Sequence, residues 1–560
     1  MHDHPPLIEY YESKPMKHFS QIAAMLAVIL YSGSSITPLS ADDSGGNTHI
    51  IAGAPQIHPP DVIGVYTGTP LLWSIPVSGL LPLHFSADKL PHGIGFNRRT
   101  GVFTGTLKHP GNYLVTVKVS NKLGSTKESI HIVTGTKIAL TPPMGWNSYD
   151  YYGDRVDEAE VLANAKYMKK YLLPYGWNTV VVDYRWYDPN AAAEPDSGAP
   201  GEKLCMDRYG RLLPAPNRFP SAANGKGFQR LANKLHKMGL RFGIHIMRGI
   251  PREAVAENLP IQGSNFHARD AANTADNCSW CPDMYGVKGN TPAGHAYYNS
   301  LFRLYASWGV DYVKMDDTSQ PYHRDEIDAA HSAILACGRS IVYSLSPGET
   351  PIQDAAHVEK HANLWRVSGD FWDNWGSLNH EFDLAAMWQP YVAPGHWPDA
   401  DMLPLGHLSM GGRPVGPDRT TRFTHNEQYT LLSLWCMLPS PLMVGANLPD
   451  NDPWTIKLLT NPEVLAVDQD GGGTAAEVVS TDANSAIWKR TLEDGSLVVG
   501  MFNRQDTPQT VSCSKSALGL HGNWEVRNLW KRKNLGSMPQ TISYEIPAHG
   551  CVLLKMSKLN

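Results

Sequence analysis

Residues 311–316 read Asp-Tyr-Val-Lys-Met-Asp, a short and largely apolar run that ends in a carboxylate. Such runs are typical of parallel strands, because parallel sheets are covered on both faces and their strands carry few polar residues. Similar runs recur on both sides of it, at residues 179–183, 241–246, 341–346 and 364–368. Longer segments with apolar residues at helical spacing separate the runs, as at residues 227–238. This alternation predicts βα units.

The number of strand candidates indicates a barrel. Met144-Gly-Trp-Asn147 precedes the runs, and His396-Trp-Pro-Asp399 and Pro441-Leu-Met-Val-Gly445 follow them. Eight βα units over about 330 residues match a (β/α)₈ TIM barrel with insertions. A doubly wound sheet is the alternative, but it usually has fewer strands, and no glycine-rich nucleotide loop occurs. We therefore predict a catalytic (β/α)₈ barrel over residues 138–470.

The barrel is flanked by segments with a different pattern. Residues 49–135 contain short strand candidates broken by turn residues, including the alternating run Leu114-Val-Thr-Val-Lys-Val119. Period-two alternation returns after residue 470, as in Ser496-Leu-Val-Val-Gly-Met-Phe502. We predict an N-terminal β-sandwich over residues 49–135 and a C-terminal antiparallel β-sandwich over residues 471–560. The chain is then multidomain, as its length of 560 residues also indicates.

The first 41 residues are typical of a targeting segment. Basic residues precede the apolar run Ile22-Ala-Ala-Met-Leu-Ala-Val-Ile-Leu30, and Leu39-Ser-Ala41 offers small residues for cleavage. The run is short for a bilayer span, although an N-terminal membrane anchor is the alternative. We predict a signal peptide over residues 1–41, export to the periplasm or the exterior, and no integral membrane span after its removal.

Composition and cysteine usage narrow the possible functions. The chain is 42% apolar and 18% charged, as in folded globular proteins, and its net charge of −5 gives no electrostatic case for nucleic acid. Export permits disulfides among the seven cysteines, and Cys278 and Cys281 could form a short-range one. A zinc site at this pair would need a second ligand pair, which is missing, so we expect no metal.

Aspartates stand at the ends of three barrel strands, where active sites of this fold lie. Asp183 and Asp316 end their strands, and Asp370 follows the strand that contains Arg366. Two carboxyl groups, one ionised and one able to give a proton, are what hydrolysis of a glycosidic bond requires. Lys314 lies on the same side of its strand as Asp316, where its charge favours the ionised carboxylate. The alternative is that these aspartates only cap helices or bond loops, which we expect of Asp317, whose side chain takes the opposite face.

Five motifs occur in an order that resembles glycoside hydrolase family 27. They are Pro142-Pro-Met-Gly-Trp-Asn-Ser148, Val313-Lys-Met-Asp316, Trp365-Arg-Val-Ser-Gly-Asp-Phe-Trp-Asp-Asn-Trp375, Pro394-Gly-His-Trp-Pro-Asp-Ala-Asp-Met-Leu403 and Glu463-Val-Leu-Ala-Val-Asp-Gln469. The N-terminal segment, with Leu90-Pro-His-Gly-Ile-Gly-Phe and Gly111-Asn-Tyr, resembles the immunoglobulin-like modules appended to bacterial enzymes.

The resemblance implies a retaining enzyme of the α-galactosidase and α-N-acetylgalactosaminidase clan, with no cofactor and an oligo- or polysaccharide substrate. It implies that Asp316 is the nucleophile and Asp370 the acid/base. It also implies that four residues line the sugar pocket, Trp146, Asp183, Lys314 and Arg366, and that Asp399 and Asp401 form a pair held near it.

Three departures from the family pattern leave the sugar open. Tyr184 stands where galactose-specific members have a second consecutive Asp, and His245 stands where many members have Tyr. Ser346 stands near the place where many α-galactosidases have Glu. Because a site built to bond a particular hydroxyl discriminates strongly, Tyr184 and His245 are further candidates for substrate binding. Isomalto-dextranase-like and β-L-arabinopyranosidase-like activities therefore stand beside α-galactosidase, as does a carbohydrate-binding protein without turnover.

Overall fold

A computed structural model describes residues 53–191, 203–411 and 415–559. The predicted signal peptide, residues 1–41, lies outside the described residues, so the signal peptide and export stay predictions. Within the described ranges, no helix is both long and apolar enough to cross a membrane.

The N-terminal module is a small β-sandwich. Its main sheet has the order β2-β9-β8-β5, and the sheet β3-β7-β6 packs on the same core. Val115, Val117 and Val119 alternate along β8 and are fully buried, as the period-two pattern predicts. The strands are β1 Gln56–Ile57, β2 Val62–Tyr66, β3 Pro70–Ser74, β4 Val77–Ser78, β5 His84–Asp88, β6 Ile94–Asn97, β7 Val102–Thr106, β8 Gly111–Asn121 and β9 Gly124–Gly135.

The middle of the chain alternates strands and helices. The strands are β10 Met144–Asn147, β11 Thr179–Val182, β12 Arg241–Met247, β13 Ile250–Pro251, β14 Ala272–Asn277, β15 Met284–Val287, β16 Tyr312–Asp316, β17 Val342–Leu345, β18 Leu364–Arg366, β19 Trp397–Asp399, β20 His407–Leu408, β21 Arg419–Thr420 and β22 Leu442–Val444. The helices are α1 Tyr149–Tyr152, α2 Glu158–Tyr167, α3 Gln229–Met238, α4 Arg252–Glu257, α5 Ala268–Ala271, α6 Pro292–Trp308, α7 Arg324–Ala336, α8 Ala355–His361, α9 Trp375–Trp388, α10 His425–Met437, α11 Pro453–Leu459 and α12 Pro462–Asp468.

Eight parallel strands of the described chain close into a ring. The ring follows chain order, β10-β11-β12-β16-β17-β18-β19, and β22 pairs with β10. A parallel bridge between Leu403 and Val444 joins the segment after β19 to β22. The prediction of a (β/α)₈ barrel is therefore confirmed, and the doubly wound alternative is wrong, because that fold leaves its sheet open.

Helix boundaries follow from local sequence signals. In α6, the Thr291 hydroxyl accepts a hydrogen bond from the Gly294 N–H at 3.1 Å, and Pro292 occupies the first helical position. The helix ends at Gly309, which has a φ of 85°. Helix α3 ends at Gly239 in the same way, and the Ser74 hydroxyl of the N-terminal module donates to the Gly239 carbonyl at 2.8 Å. One helix end thus also joins the N-terminal module to the barrel.

Alternation along the ring strands divides the barrel interior into two levels. The lower level is apolar and includes Val181, Tyr312, Leu364 and Trp397, which are all buried in one cluster. Two residues further along each of these strands, the inward position becomes polar, as at Lys314. The apolar level closes the bottom of the barrel, so the polar positions collect at the carboxyl ends of the strands.

The C-terminal module is a β-sandwich with a six-stranded sheet of order β23-β24-β25-β30-β27-β28 and the pair β26-β29. It shares the barrel's hydrophobic core through Trp488 and Phe502. Buried Arg490 donates hydrogen bonds at 2.7 Å to the Cys436 and Val467 carbonyls at the ends of two barrel helices. The strands are β23 Glu477–Thr481, β24 Ser485–Thr491, β25 Leu497–Asn503, β26 Gln509–Ser514, β27 Trp524–Asn528, β28 Lys533–Ser537, β29 Thr541–Ile546 and β30 Cys551–Lys558.

The predicted disulfide is absent from this structure. All seven cysteines lie in the described part of the chain, and each is a free thiol. Cys278 and Cys281 are both buried, and the Cys278 sulfur accepts a hydrogen bond from the Cys281 N–H at 3.3 Å. This tight turn satisfies the Cys281 amide.

Candidate active site

A cavity of about 440 Å³ opens at the carboxyl ends of the barrel strands. Its volume is in the usual range for small-molecule sites. The walls come from residues that end ring strands or follow them directly, including Asp183, Asp316 and Ser346. Gly348 brings two of these loops together, because a Cβ there would lie 1.7 Å from the Ser368 carbonyl oxygen.

The cavity combines carboxylates with aromatic rings. Within the described chain it is lined by six aspartates but only two cations, Lys314 and Arg366. The aspartates are Asp150, Asp154, Asp183, Asp316, Asp370 and Asp401. The aromatic residues of the wall are Tyr149, Tyr184, Trp280, Phe371 and Trp372. Aromatic faces suit the apolar faces of sugar rings, and carboxylates suit their hydroxyl groups.

Asp183 and Lys314 form a buried ion pair at the base of the cavity. The Lys314 Nζ lies 3.2 Å from Asp183 Oδ2, which also accepts a hydrogen bond from the Asn147 amide at 2.6 Å. Burial alone would raise the pKa of Asp183, but the Lys314 and His245 charges and these hydrogen bonds outweigh it and lower the pKa to about 2. Asp183 is therefore ionised throughout the physiological range.

His245 holds the predicted nucleophile, Asp316. Its Nε2 donates to Asp316 Oδ2 at 2.9 Å, and the Asp317 N–H donates to Asp316 Oδ1 at 2.9 Å. Burial would raise the pKa of Asp316, but the hydrogen bond and charge of His245, and then the charge of Lys314, keep that pKa below its usual value. Asp317 itself turns away and pairs with Arg248 at 2.8 Å, so it is a structural residue, as expected from its position in the strand.

Arg366 connects two more carboxylates at the opposite wall. Its Nη2 lies 2.8 Å from Asp401 Oδ2 and 3.3 Å from Asp370 Oδ1. The Arg366 side chain is buried, whereas 73% of the Asp370 side chain is exposed. Asp370 therefore lies at the cavity mouth, next to a buried cation that can orient it.

Asp399 and Asp401 lie behind this wall. Asp399 Oδ1 accepts a hydrogen bond from the Asp401 N–H at 2.9 Å. Burial and the charge of Asp401 raise the pKa of Asp399 to about 6, and burial likewise raises the pKa of Asp401 although Arg366 and Lys314 oppose it. The pair therefore holds protons more readily than ordinary aspartates.

Most of the residues selected from sequence meet at the cavity, and three do not reach its wall. Those that line it are Asp183, Tyr184, Lys314, Asp316, Arg366, Asp370 and Asp401. His245 and Asp399 lie one layer behind, in contact with Asp316 and Asp401. Trp146 is fully buried, and its indole N–H donates to the Ala446 carbonyl at 2.7 Å. It therefore lies outside the cavity wall, where it was expected.

Sequence reasoning missed six acidic or aromatic side chains of the wall: Tyr149, Asp150, Asp154, Trp280, Phe371 and Trp372. Tyr149 directly follows the first quoted motif and takes the place expected of Trp146, because the chain turns into α1 there. Trp372 lies inside a quoted motif, next to the residues that were selected. Trp280 belongs to the loop between β14 and β15, and its ring lies 5.8 Å from that of Tyr184. Only the folded loop shows that contact.

Asp150 is the most unusual of the missed residues. It is buried, and no described atom hydrogen-bonds to its Oδ2. Burial and then the charge of Asp401 raise its pKa well above the usual value. A protonated Asp150 is a hydrogen-bond donor at the cavity wall, unlike the ionised Asp183.

The cavity contains two carboxylates that cations of the protein already neutralise. Its buried carboxylates Asp183 and Asp401 are already paired with Lys314 and Arg366. Two clusters with metal-ligand chemistry occur among the described residues, and both lie outside the cavity wall. The chemistry of the cavity is therefore that of carboxyl groups, cations and aromatic rings.

Three family models match the chain. One described as "Alpha galactosidase A" matches residues 283–470, and one described as "Alpha galactosidase C-terminal beta sandwich domain" matches residues 482–556. A third, described as "Putative Ig domain", matches residues 54–136.

Known relatives agree with these matches. The structure is similar to that of a GH27 β-L-arabinopyranosidase from Geobacillus stearothermophilus, with 48% sequence identity and a TM-score of 0.72 over 75% of this chain and 98% of that chain. The chain is 28% identical to an α-galactosidase from Cyamopsis tetragonoloba over 74% of this chain and 85% of that protein. It is also 28% identical to α-galactosidase A from Cellvibrio japonicus, over 75% of this chain and 93% of that protein.

Nearly the whole length of a family enzyme is thus matched at 48% identity, on the barrel that carries the aspartate-lined cavity. The chain belongs to glycoside hydrolase family 27 and is a glycoside hydrolase with an N-terminal immunoglobulin-like module.

Proposed function

We propose that the protein is a retaining exo-glycosidase that releases terminal β-L-arabinopyranosyl residues. The main support for this choice of sugar is the 48% identity to the Geobacillus β-L-arabinopyranosidase, whose structure is in complex with arabinose. β-L-Arabinopyranose has the ring configuration of α-D-galactopyranose but lacks the exocyclic hydroxymethyl group. The same kind of barrel can therefore bind either sugar. The space left for the hydroxymethyl group determines which of the two sugars is preferred.

The cavity wall supports the smaller sugar. Tyr184 brings an aromatic ring to the place where galactose-specific members have a second carboxylate. The ring takes up more space and removes a hydrogen-bond acceptor, and Trp280 packs beside it. Terminal α-D-galactosides are the second candidate substrate, favoured by the similarity to the plant and bacterial α-galactosidases.

In the proposed first step, Asp316 attacks the anomeric carbon. The carboxylate is kept ionised by His245 and Lys314, although it is buried. Its bond to the sugar forms as the glycosidic bond breaks, and Asp370 gives its proton to the departing oxygen. The exposed position of Asp370 at the cavity mouth supports this role, because a leaving group departs toward solvent.

In the second step, Asp370 takes a proton from water, which attacks the anomeric carbon and frees Asp316. Both transition states carry positive charge on the sugar ring. Asp183, which stays ionised in the wall, contributes negative charge that stabilises these transition states. Lys314 and Arg366 hold the carboxylates in place.

A substrate panel tests the sugar specificity. We expect 4-nitrophenyl β-L-arabinopyranoside to be cleaved with a kcat/KM about 10- to 200-fold above that of the α-D-galactopyranoside, the discrimination that one small group supplies. The panel also contains the N-acetyl-α-D-galactosaminide and the α-D-glucopyranoside. The Asp316→Asn protein, purified in the same way, controls for contaminating activity. A higher kcat/KM for the galactoside would select the second candidate.

Retention is tested by the configuration of the first product. A β-L-arabinopyranoside should release β-L-arabinopyranose, because two displacements at one carbon restore its configuration. Proton NMR within the first minutes distinguishes this anomer before mutarotation. Initial release of the α-anomer would mean direct attack by water and would remove Asp316 from the nucleophile role.

The Asp370→Ala variant tests the acid. We expect the loss of kcat/KM to be about 100-fold or more on an alkyl glycoside, but below about 10-fold on a 2,4-dinitrophenyl glycoside, whose leaving group needs no proton. Asp383→Ala, which removes an exposed aspartate of α9, is the matched control and should behave as the parent protein. Equal losses on both substrates would show that Asp370 orients the sugar instead.

The His245→Phe variant tests how the nucleophile is kept ionised. Without His245, burial dominates and the pKa of Asp316 rises, so the acidic limb of the kcat/KM profile should move to higher pH. The control is His236→Phe, which removes the 2.8 Å contact between His236 and Asp311 below the opposite end of β16. Its acidic limb should stay in place. An unmoved limb in His245→Phe would show that another group sets the ionisation of Asp316.

A further inference from the structure

A cluster of histidines and a carboxylate lies on the outer helices of the barrel. Asp328 belongs to α7, and His357 and His361 belong to α8; these three residues are here called the His-Asp cluster. None of them lines the catalytic cavity. Sequence analysis expected no metal, because it considered only the cysteine pair and not histidines on separate helices.

The ligand atoms of the cluster converge on one point. His357 and His361 are four residues apart in α8, so they share a face of that helix. The Nε2 atoms of His357 and His361 lie 2.7 and 3.5 Å from Asp328 Oδ1. Nitrogen and oxygen ligands about 2.0–2.2 Å from a tetrahedral zinc ion are roughly 3.4 Å from one another. The distance from His361 to Asp328 already fits this value, and the distance from His357 to Asp328 would have to increase by less than about 1 Å.

Hydrogen bonds behind the rings turn their Nε2 atoms toward the carboxylate. His361 Nδ1 donates to the His357 carbonyl at 2.8 Å, so a neutral His361 carries its lone pair on Nε2. That lone pair faces Asp328 Oδ1 at 3.5 Å. Both atoms are then hydrogen-bond acceptors, and a cation between them would stabilise the arrangement. His357 Nδ1 is hydrogen-bonded to the Tyr322 hydroxyl, which can also accept a hydrogen bond from an Nδ1–H and so leave the Nε2 lone pair free to bind a metal.

One side of the His-Asp cluster is open to water. The His357 and His361 side chains are 7% and 16% exposed, whereas Asp328 is 43% exposed and open to water. A water molecule can reach the exposed side and complete four ligands.

A second group with similar chemistry shows why the His-Asp cluster is preferred. It consists of Asp276, His323 and Glu326. Arg248 Nη1 lies 2.9 Å from Asp276 Oδ2 and 2.6 Å from Glu326 Oε1. A guanidinium therefore already neutralises both carboxylates and would repel a metal ion. The ligand atoms of the His-Asp cluster have no cation between them in the described structure.

We propose that Asp328, His357 and His361 bind one Zn²⁺ ion that joins α7 to α8 on the outside of the barrel. The ligand set of two imidazoles and one carboxylate is one that zinc accepts. Helix α8 follows the loop that carries Ser346 and Gly348 into the cavity wall. The ion stabilises the outer support of that loop and takes no part in the chemistry.

The test uses the full-length protein after removal of metal with EDTA and dialysis. Titration with ZnCl₂ in a calorimeter should show one site per chain, and zinc should raise Tm by roughly 2 °C or more. His361→Gln should weaken binding by more than about 100-fold, since loss of a supporting contact alone costs 10–100-fold. His323→Gln, in the second group, is the matched control and should bind zinc as the parent protein does.

A cobalt spectrum of the unmodified protein makes the result independent of whether a variant folds. Co²⁺ at the His-Asp cluster should give the visible bands of a tetrahedral site without a thiolate charge-transfer band in the near ultraviolet. A thiolate band would place the ion at Cys278 and Cys281 and overturn the proposal. Absence of zinc binding, or unchanged binding in His361→Gln, would overturn it as well.

Discussion

Closing eight parallel strands into a ring determines where every functional group of this protein lies. Parallel strands have all their carboxyl ends at one end of the barrel, and alternation sends every second side chain inward. Tyr312, Lys314 and Asp316 are successive inward positions of one strand, and they pass from the apolar base to the catalytic cavity. The same strands thus supply both the packed core that stabilises the barrel and the carboxylates of the cavity.

Electrostatics then assigns different states to similar carboxyl groups. Burial raises the pKa of each buried aspartate, and the outcome depends on which cation lies beside it. Asp183 and Asp316 are close to Lys314 and His245, so their pKa values fall. Asp399 and Asp150 lack such a close partner, and their pKa values rise. Lys314 and His245 thus keep the pKa values of Asp183 and Asp316 low, whereas at Asp401 burial outweighs Arg366, and the pKa rises although the guanidinium lies 2.8 Å away.

The flanking modules are attached to the barrel in different ways. The C-terminal sandwich shares the barrel's hydrophobic core, and the buried guanidinium of Arg490 satisfies two barrel carbonyls. Removing that sandwich would expose both the core and those carbonyls, so the two modules form one folding unit in physical terms. The N-terminal module has a core of its own and meets the barrel at polar contacts such as Ser74 with Gly239, with Tyr66 packed against the barrel core. It is the more independent part.

The sequence by itself determined the strand positions, the barrel and the catalytic candidates Asp316 and Asp370, because period and strand ends are local properties of the chain. It also placed Lys314 beside Asp316 and Asp317 away from it, since alternation needs no tertiary information. Only the tertiary structure put Tyr149 in the wall instead of Trp146 and brought Trp280 over Tyr184. It alone paired His245 with Asp316 and brought Asp328 to the histidines of α8. These contacts join residues from different strands, loops and helices, and their distances depend on loop paths and helix packing that no local pattern encodes.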